Sequence, residues 1–249
     1  MKIKTTLLVI ILTVSIAFGK SVKHNSGSSR KNKITTKEIL SKIDATARST
    51  HSFQALFMQT EVDTVFDELY ESTGIFYFNK LISRDKNRTP VFQIRFDYLK
   101  PDKSTTIIDG GKVIIYTPEM SEPQESYLID DIKMDAFFAP FISSERLREN
   151  YDIVVTSEDS KKVTVLLSPK TDIVKKHFRE LRITFSRSNW LPISIYQVKK
   201  NGQKITFKFA RIKVNRSISQ DMFSMKGLKA SLPSSPRRRR AKAKKDPGK

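Results

Sequence analysis

The feature that most constrains this chain is a change of period at Phe53. From there Phe53, Ala55, Phe57 and Gln59 fall on one side, and Gln54, Leu56 and Met58 on the other. A period of two is the signature of a strand with two unlike faces. The pattern returns in short segments down the chain. Strands are expected at 52–62, 70–79, 90–98, 103–108, 112–116, 125–129, 151–157, 161–168, 177–186, 191–198 and 203–211. Many separators are turn-like: Asp109-Gly110-Gly111, Asp159-Ser160, Arg187-Ser188-Asn189 and Asn201-Gly202. Connections this short join antiparallel neighbours, because a parallel crossover needs a dozen or more residues. The 16 phenylalanines and seven tyrosines suit strands as well.

About eleven strands cannot form a flat sheet, because strand twist accumulates. The sheet must curl, and every second residue then faces a concave interior. Phe53, Phe57, Phe76, Phe78, Phe96, Tyr98, Ile108 and Ile115 are the candidates to line it. Two readings are open. These side chains enclose a pocket for an apolar ligand, or they pack against helices as ordinary core, the commoner fate of a large apolar residue.

Two segments break the alternation. Thr35-Thr36-Lys37-Glu38 fits a capping box, and Leu40, Ile43 and Ala47 share one face of a helix over 36–49. Residues 131–149, with Phe137, Phe138 and Pro140 before Ser143-Ser144-Glu145-Arg146-Leu147, read as one or two short helices inserted midway. Helices of this kind can cap the mouth of a curled sheet, and whatever they leave unfilled is a cavity.

The ends of the chain carry different information. Lys2 and Lys4 precede an apolar run, Leu7–Ala17, and Ala17-Phe18-Gly19 places small residues before a cut at Lys20. That is the three-part form of a cleavable secretory signal over 1–19. The run falls short of the ~20 apolar residues that span a bilayer. Residues 20–34 are polar and basic and read as a disordered leader. The chain has no cysteine, which excludes disulfides, thiol nucleophiles and attachment of lipid to a cysteine after the signal. A soluble, exported protein is expected. The net charge of +20 is spread along the chain but is most intense at the C-terminus, where the last 14 residues hold eight basic residues against Asp246. Arg237, Arg238, Arg239, Arg240, Lys242, Lys244 and Lys245 form a polybasic tail within 229–249. Attraction to anionic lipid head groups, at about 1 kcal/mol per basic residue, is one role for it, and a solvated end with no role is the other. No aromatics are interleaved with the run, so nucleic acid is not expected as a partner.

The order and spacing of several motifs resemble the periplasmic outer-membrane lipoprotein carriers, the LolA family. Phe53-x-Ala55-x-Phe57-x-Gln59 follows the capped helix. Gly74-Ile75-Phe76-Tyr77-Phe78 is similar to the family's second strand, and Phe92 to Pro101 to the aromatic strand after it. The closest local likeness is Ile108-Asp109-Gly110-Gly111 leading into Val113-Ile114-Ile115-Tyr116-Thr117-Pro118. Leu167-Ser168-Pro169-Lys170, Asn201-Gly202-Gln203 and Phe223-Ser224-Met225 follow in the family's order. The resemblance implies a mainly β (α+β) fold over 35–228: a curled antiparallel sheet of about eleven strands forming a half-open barrel, lidded by a few short helices. It implies a monomeric, chaperone-like carrier that takes the acyl chains of lipoproteins from an inner-membrane ABC transporter to an outer-membrane receptor. A sensor or regulator, or a carrier of free lipid, would use the same fold. The chain departs from the family in two places. A charged insertion at Ser83–Arg88 replaces a tight turn, so Lys80, Arg84 and Arg88 are all candidates for the family's cargo-transfer basic residue. The polybasic tail is the second departure.

No catalytic constellation is expected. His24, His51 and His177 are scattered with no second ligand at metal spacing, and no phosphate-binding glycine loop or nucleophile elbow is present. The chain reads as a non-enzyme without metal or cofactor.

Overall fold

Eleven antiparallel strands form one continuous sheet in a computed structural model of the chain. The structure describes residues 34–231 except 65, 67, 82–90, 121, 128–140 and 142–143. The expected secretory signal over 1–19, the expected leader up to Lys33, Arg84, Arg88, Phe137, Phe138 and the polybasic run lie outside the described residues.

The strands are β1 (Ser52–Asp63), β2 (Glu68–Leu81), β3 (Val91–Lys100), β4 (Ser104–Asp109), β5 (Lys112–Tyr116), β6 (Gln124–Tyr127), β7 (Tyr151–Glu158), β8 (Lys162–Pro169), β9 (Phe178–Ser186), β10 (Pro192–Lys199) and β11 (Lys204–Val214). Their order across the sheet is 6-5-4-3-2-1-11-10-9-8-7. Two meanders of hairpins thus run outward from β1 and β11, which pair with each other and bring the two halves of the chain together. The sheet does not close, and β6 and β7 are its edges. Every strand lies within two residues of its expected bounds at its start. Among the described residues the sequence missed three short pieces: a single helical turn α3 (Asp172–Lys175), a 3₁₀ turn (Gln220–Phe223) and α4 (Met225–Ser231).

The concave face follows from register. Phe53, Ala55 and Phe57 stand opposite Phe78, Phe76 and Gly74, and Phe78 and Phe76 stand opposite Ile94 and Phe96. On the other side Phe57 faces Phe209 and Gln59 faces Phe207. The inward row continues through Ile195, Ile183 and Val165. Cross-strand aromatic and β-branched pairs of this kind stabilise a sheet by about 0.2–1 kcal/mol each. The outward residues of the same strands behave differently, and Leu56 is exposed.

The helix α1 (Thr36–Ser49) lies against this concave face through Ile39, Leu40 and Ile43, which share its core. Its capping box is complete. Glu38 N–H donates to Thr35 Oγ1 at 3.2 Å, and Thr35 N–H donates to Glu38 Oε2 at 2.8 Å. That backbone hydrogen bond from Thr35 holds the Glu38 carboxyl below its ordinary pKa. At the other end of α1 the Asn215 side chain donates to the Ser49 carbonyl and accepts from His51 N–H, tying the helix exit to the end of β11. The midway insertion supplies α2 (Ser144–Asn150), where a short helix was expected. The convex face is covered at one end. Ile107 and Ile114 pack under Phe223 and Leu228, and the Arg95 guanidinium, paired with Asp97 at 2.9 Å, donates to the Met222 carbonyl at 2.9 Å.

Candidate functional site

The concave face changes character along its length. At the end under α1 it is filled. Phe53 makes edge-on contacts with Phe76, Phe141 and Phe209 at centroid distances of 5.9, 5.4 and 5.7 Å. Phe141 stacks on Phe78 at 4.0 Å with 14° between planes. Phe141 comes from the inserted segment, three residues before α2, so the insertion contributes a ring to the interior as well as a helix over it. The lid is pinned from several sides. Asp44 of α1 accepts from Ser144 N–H at 2.6 Å and from Ser144 Oγ at 2.7 Å, which caps α2 with a side chain from another helix. The Lys42 ammonium sits 5.6 Å from the Trp190 ring centre at the β9–β10 turn. Lys80 Nζ of β2 donates to the Ala47 carbonyl at 3.3 Å, a basic group at a helix C-terminus. Burial pushes the Lys80 pKa down from its ordinary value.

At the opposite end the face opens into a cavity of about 530 Å³, within the ~300–1,000 Å³ of ordinary ligand pockets. Its walls are Gln59, Glu61, Tyr98, His177, Phe178, Gln197, Lys199, Ile205 and Phe207. Beside this mouth Gly74, which lines a second recess, makes room for its neighbours. A Cβ there would lie 2.1 Å from the Asp97 carbonyl oxygen and 2.7 Å from Phe57 Cε1. With no side chain on β2 at this point, the Tyr98 ring crosses it and meets Phe57 edge-on at 5.1 Å. The Tyr98 hydroxyl donates to Gln59 Oε1 at 2.7 Å. Burial, with the Glu61 carboxylate adding to it, pushes the Tyr98 pKa up to about 12. Gln59 Nε2 donates in turn to Glu61 Oε2 at 3.3 Å, and Gln203 Nε2 donates to Glu61 Oε1. A second recess, about 410 Å³, opens on the other side of the β1–β11 pair between Leu56, Met58, Leu99 and Ala210, with Phe57 and Phe209 at its base.

The structure places the residues singled out in the sequence as follows. Phe53, Phe57, Phe76, Phe78, Phe96 and Ile108 share one buried cluster on the concave face. Tyr98 packs against that cluster and lines the mouth. Ile115 is on the same face but 40% exposed, near the β6 edge. Lys80 sits under the end of α1, away from the residues that line the mouth. Sequence reading passed over Phe178, Gln197, Lys199, Ile205 and Phe207. The alternation Ile205, Phe207, Phe209 carried the signal for β11, but nothing in it says which strands flank the mouth.

Among the described residues the chain is a half-open β-barrel with an aromatic interior, a helix over one end and a wide mouth at the other. The family model for the outer membrane lipoprotein carrier protein LolA matches residues 48–226, and the chain belongs to that family. No curated protein sequence matches it. Among solved structures, MucB is 17% identical, with the match covering 76% of this chain and 62% of MucB at a TM-score of 0.44. The chain therefore spans less than two thirds of MucB. A LolA superfamily protein from Nitrosomonas europaea is 13% identical over 77% of this chain and 98% of its own, at a TM-score of 0.37. The lipoprotein LppX of Mycobacterium tuberculosis is 6% identical over 74% of this chain and 99% of its own, at 0.42.

Proposed function

We propose that this chain is a periplasmic carrier that shields the acyl chains of lipoproteins inside its half-barrel and moves them from the inner to the outer membrane. The observation that carries the reading is the concave face itself: a continuous apolar lining, filled by rings beneath a pinned lid and open at a 530 Å³ mouth, in a member of the LolA family. The physical need is plain. Each acyl CH₂ taken from water is worth about 0.8 kcal/mol, so a multiply acylated protein does not cross an aqueous space unaided. A carrier must also release its load. Rings held by edge-on contacts and a lid held by a few hydrogen bonds can open without unfolding the sheet.

In this reading the protein is not an enzyme. Its partners are acylated lipoproteins, an inner-membrane ABC transporter and an outer-membrane receptor, and the basic residues Lys80, Arg84 and Arg88 are candidates to assist the hand-over. The polybasic run Arg237–Arg240 with Lys242, Lys244 and Lys245 supplies attraction to anionic head groups at either membrane.

The test is transfer. The mature protein should leave the periplasm with acylated protein bound, and should accept acylated protein from inner-membrane vesicles. A folded sample that does neither overturns the proposal. Mass spectrometry of the co-purified material separates lipoprotein from free lipid as the cargo.

A further inference from the structure

We propose that the protruding β1–β2 hairpin is a docking surface for the polybasic run Arg237–Lys245 of the same chain. The inference goes beyond the carrier reading and does not depend on it.

The two strands outrun their neighbour. β1 and β2 pair as far as Asp63 and Glu68, but β3 leaves β2 at Thr73. The backbone of residues 68–72 therefore has no ladder partner on the β3 side. The hairpin overhangs the end of the sheet that carries the mouth, since Gln59 and Glu61 of β1 wall that cavity. Its tip is held in a turn by Phe66 N–H, which donates to Asp63 Oδ1 at 3.3 Å. Three large side chains there nonetheless face water: Phe66 is 73% exposed, Leu69 61% and Tyr70 53%. Single exposed apolar residues are ordinary on a protein surface. Three within five positions, at the end of a projecting hairpin, form a patch of the kind that meets a partner.

What surrounds the rings restricts the occupant. Ser49 to Asn79 hold five carboxylates and no lysine or arginine, in a chain of net charge +20. On one face of the hairpin Tyr70 stands opposite Glu61 and Glu68 opposite Asp63, and the Tyr70 hydroxyl donates to Glu68. On the other face Leu69 stands opposite Val62, and Glu71 opposite Thr60. These carboxylates repel anionic lipid, and they repel the same hairpin of a second copy. An arginine fits them, because its guanidinium stacks on a ring face while its N–H groups reach carboxylates at the rim. The chain supplies four in a row, Arg237–Arg240, followed by Lys242, Lys244 and Lys245. They also start from the right place. Lys229 of α4 pairs with Glu122 at 3.6 Å, which sets the end of that helix by the β5–β6 turn. This turn leaves the sheet at the same end as the hairpin, three strands across. At the usual strand spacing and rise, the hairpin is about 14 Å away sideways and projects about 17 Å past its pairing with β3. Arg237 and Lys245 come six and 14 positions after Ser231, so an extended chain carries them up to about 20 and 50 Å. The run can lie along the hairpin, beside the mouth. Tethering raises its effective concentration toward the millimolar range, so weak contacts suffice to hold it.

Paramagnetic broadening tests this in the full mature protein. The chain has no cysteine, so Ala241→Cys provides a single thiol for a nitroxide label within the run. At low salt the label should broaden the amide signals of Phe66, Leu69 and Glu71 and spare those of β7 and β8 at the far edge of the sheet. The broadening should disappear in about 1 M salt, where the Debye length falls to about 3 Å. Two double variants change exposed side chains and leave the core alone: Phe66→Ser with Tyr70→Ser, and Glu68→Gln with Glu71→Gln. Each should lose most of the broadening. Vesicles containing anionic lipid compete for the arginines and should relieve it, whereas neutral vesicles should not. No preferential broadening of the hairpin at low salt, or broadening that both variants keep, would overturn the inference. Broadening that grows with protein concentration would overturn it by moving the contact to a second copy. Relief by neutral vesicles would overturn it by assigning the exposed rings to lipid. None of these readouts involves cargo, so the carrier reading stands or falls by its own transfer test.

Discussion

Removing the Phe57 ring should weaken the fold and enlarge the ligand space at once. The ring is 3% exposed and packs edge-on to Phe96 at 5.5 Å and to Tyr98 at 5.1 Å, with Phe207 at 6.0 Å. Two of those neighbours wall the 530 Å³ mouth, and Phe57 itself lies at the base of the 410 Å³ recess. A buried Phe→Ala change of this kind costs about 3–5 kcal/mol, from lost transfer energy and from the cavity left behind. In a domain of this size that is roughly 10 °C of melting temperature, at about 2–4 °C per kcal/mol. The vacated space adjoins the mouth, so a long alkyl chain can enter it. Two or three further CH₂ groups buried there, at about 0.8 kcal/mol each, amount to a gain of roughly tenfold or more in affinity. Phe57→Ala should therefore melt lower without ligand and recover more than the wild type when a long-chain alkyl ligand is added. Chemical denaturation and ligand titration of both proteins provide the assay. A stability loss under about 1 kcal/mol would refute the packing. A full loss with no gain in long-chain affinity would refute the claim that this ring bounds the ligand space.

Asp44→Ala removes both hydrogen bonds to Ser144 and should cost about 1–2 kcal/mol, typical of a lost helix cap. The loss should appear as faster amide exchange in α2 before any in the central strands, and uniform loss of protection would contradict the lid assignment. Gly74→Ala puts a Cβ 2.1 Å from the backbone oxygen of Asp97 and should destabilise by at least the ~1–3 kcal/mol of an overpacked core, read by urea midpoint. A neutral effect would mean that β2 and β3 can separate at no cost. Tyr98 supplies a pH test. Its folded pKa is raised to about 12 from an ordinary 10, so the folded state holds the proton longer than the unfolded one. Its contribution is complete below pH 10 and is lost as pH climbs from about 10 to 12, by up to ~2–3 kcal/mol through linkage. Tyr98→Phe should flatten the stability profile across that window, and an unchanged slope would show that the hydroxyl is exposed.

How much was legible beforehand can be judged from single residues. Phe53, Phe76 and Phe78 announce their face through their own spacing, because side-chain direction alternates with every residue of a strand. Thr35 and Glu38 announce a helix start, because the cap is a contact between residues three apart. Phe141 could not be read in the same way. Its partners Phe53 and Phe78 are brought to it by the fold, and its own neighbourhood in the chain has no period. Gln197 carried no signal at all. A glutamine in a strand is usually a surface residue, and only the closing of β10 against β9 and β11 makes it a buried one.

The sequence by itself determined the strands, their antiparallel order within each run of hairpins, the inward face and the capped helix. Each of these rests on contacts close in the chain or on a short period. The tertiary structure alone decided that β1 pairs with β11, which joins the two meanders into one curled sheet, and that α1 covers one end of it and leaves the other open. Those depend on residues such as Asp44 and Ser144, or Glu61 and Gln203, that lie 100 and 142 positions apart and meet only when the whole chain has folded. For this reason the apolar interior could be expected from the sequence, while the position of its mouth could not.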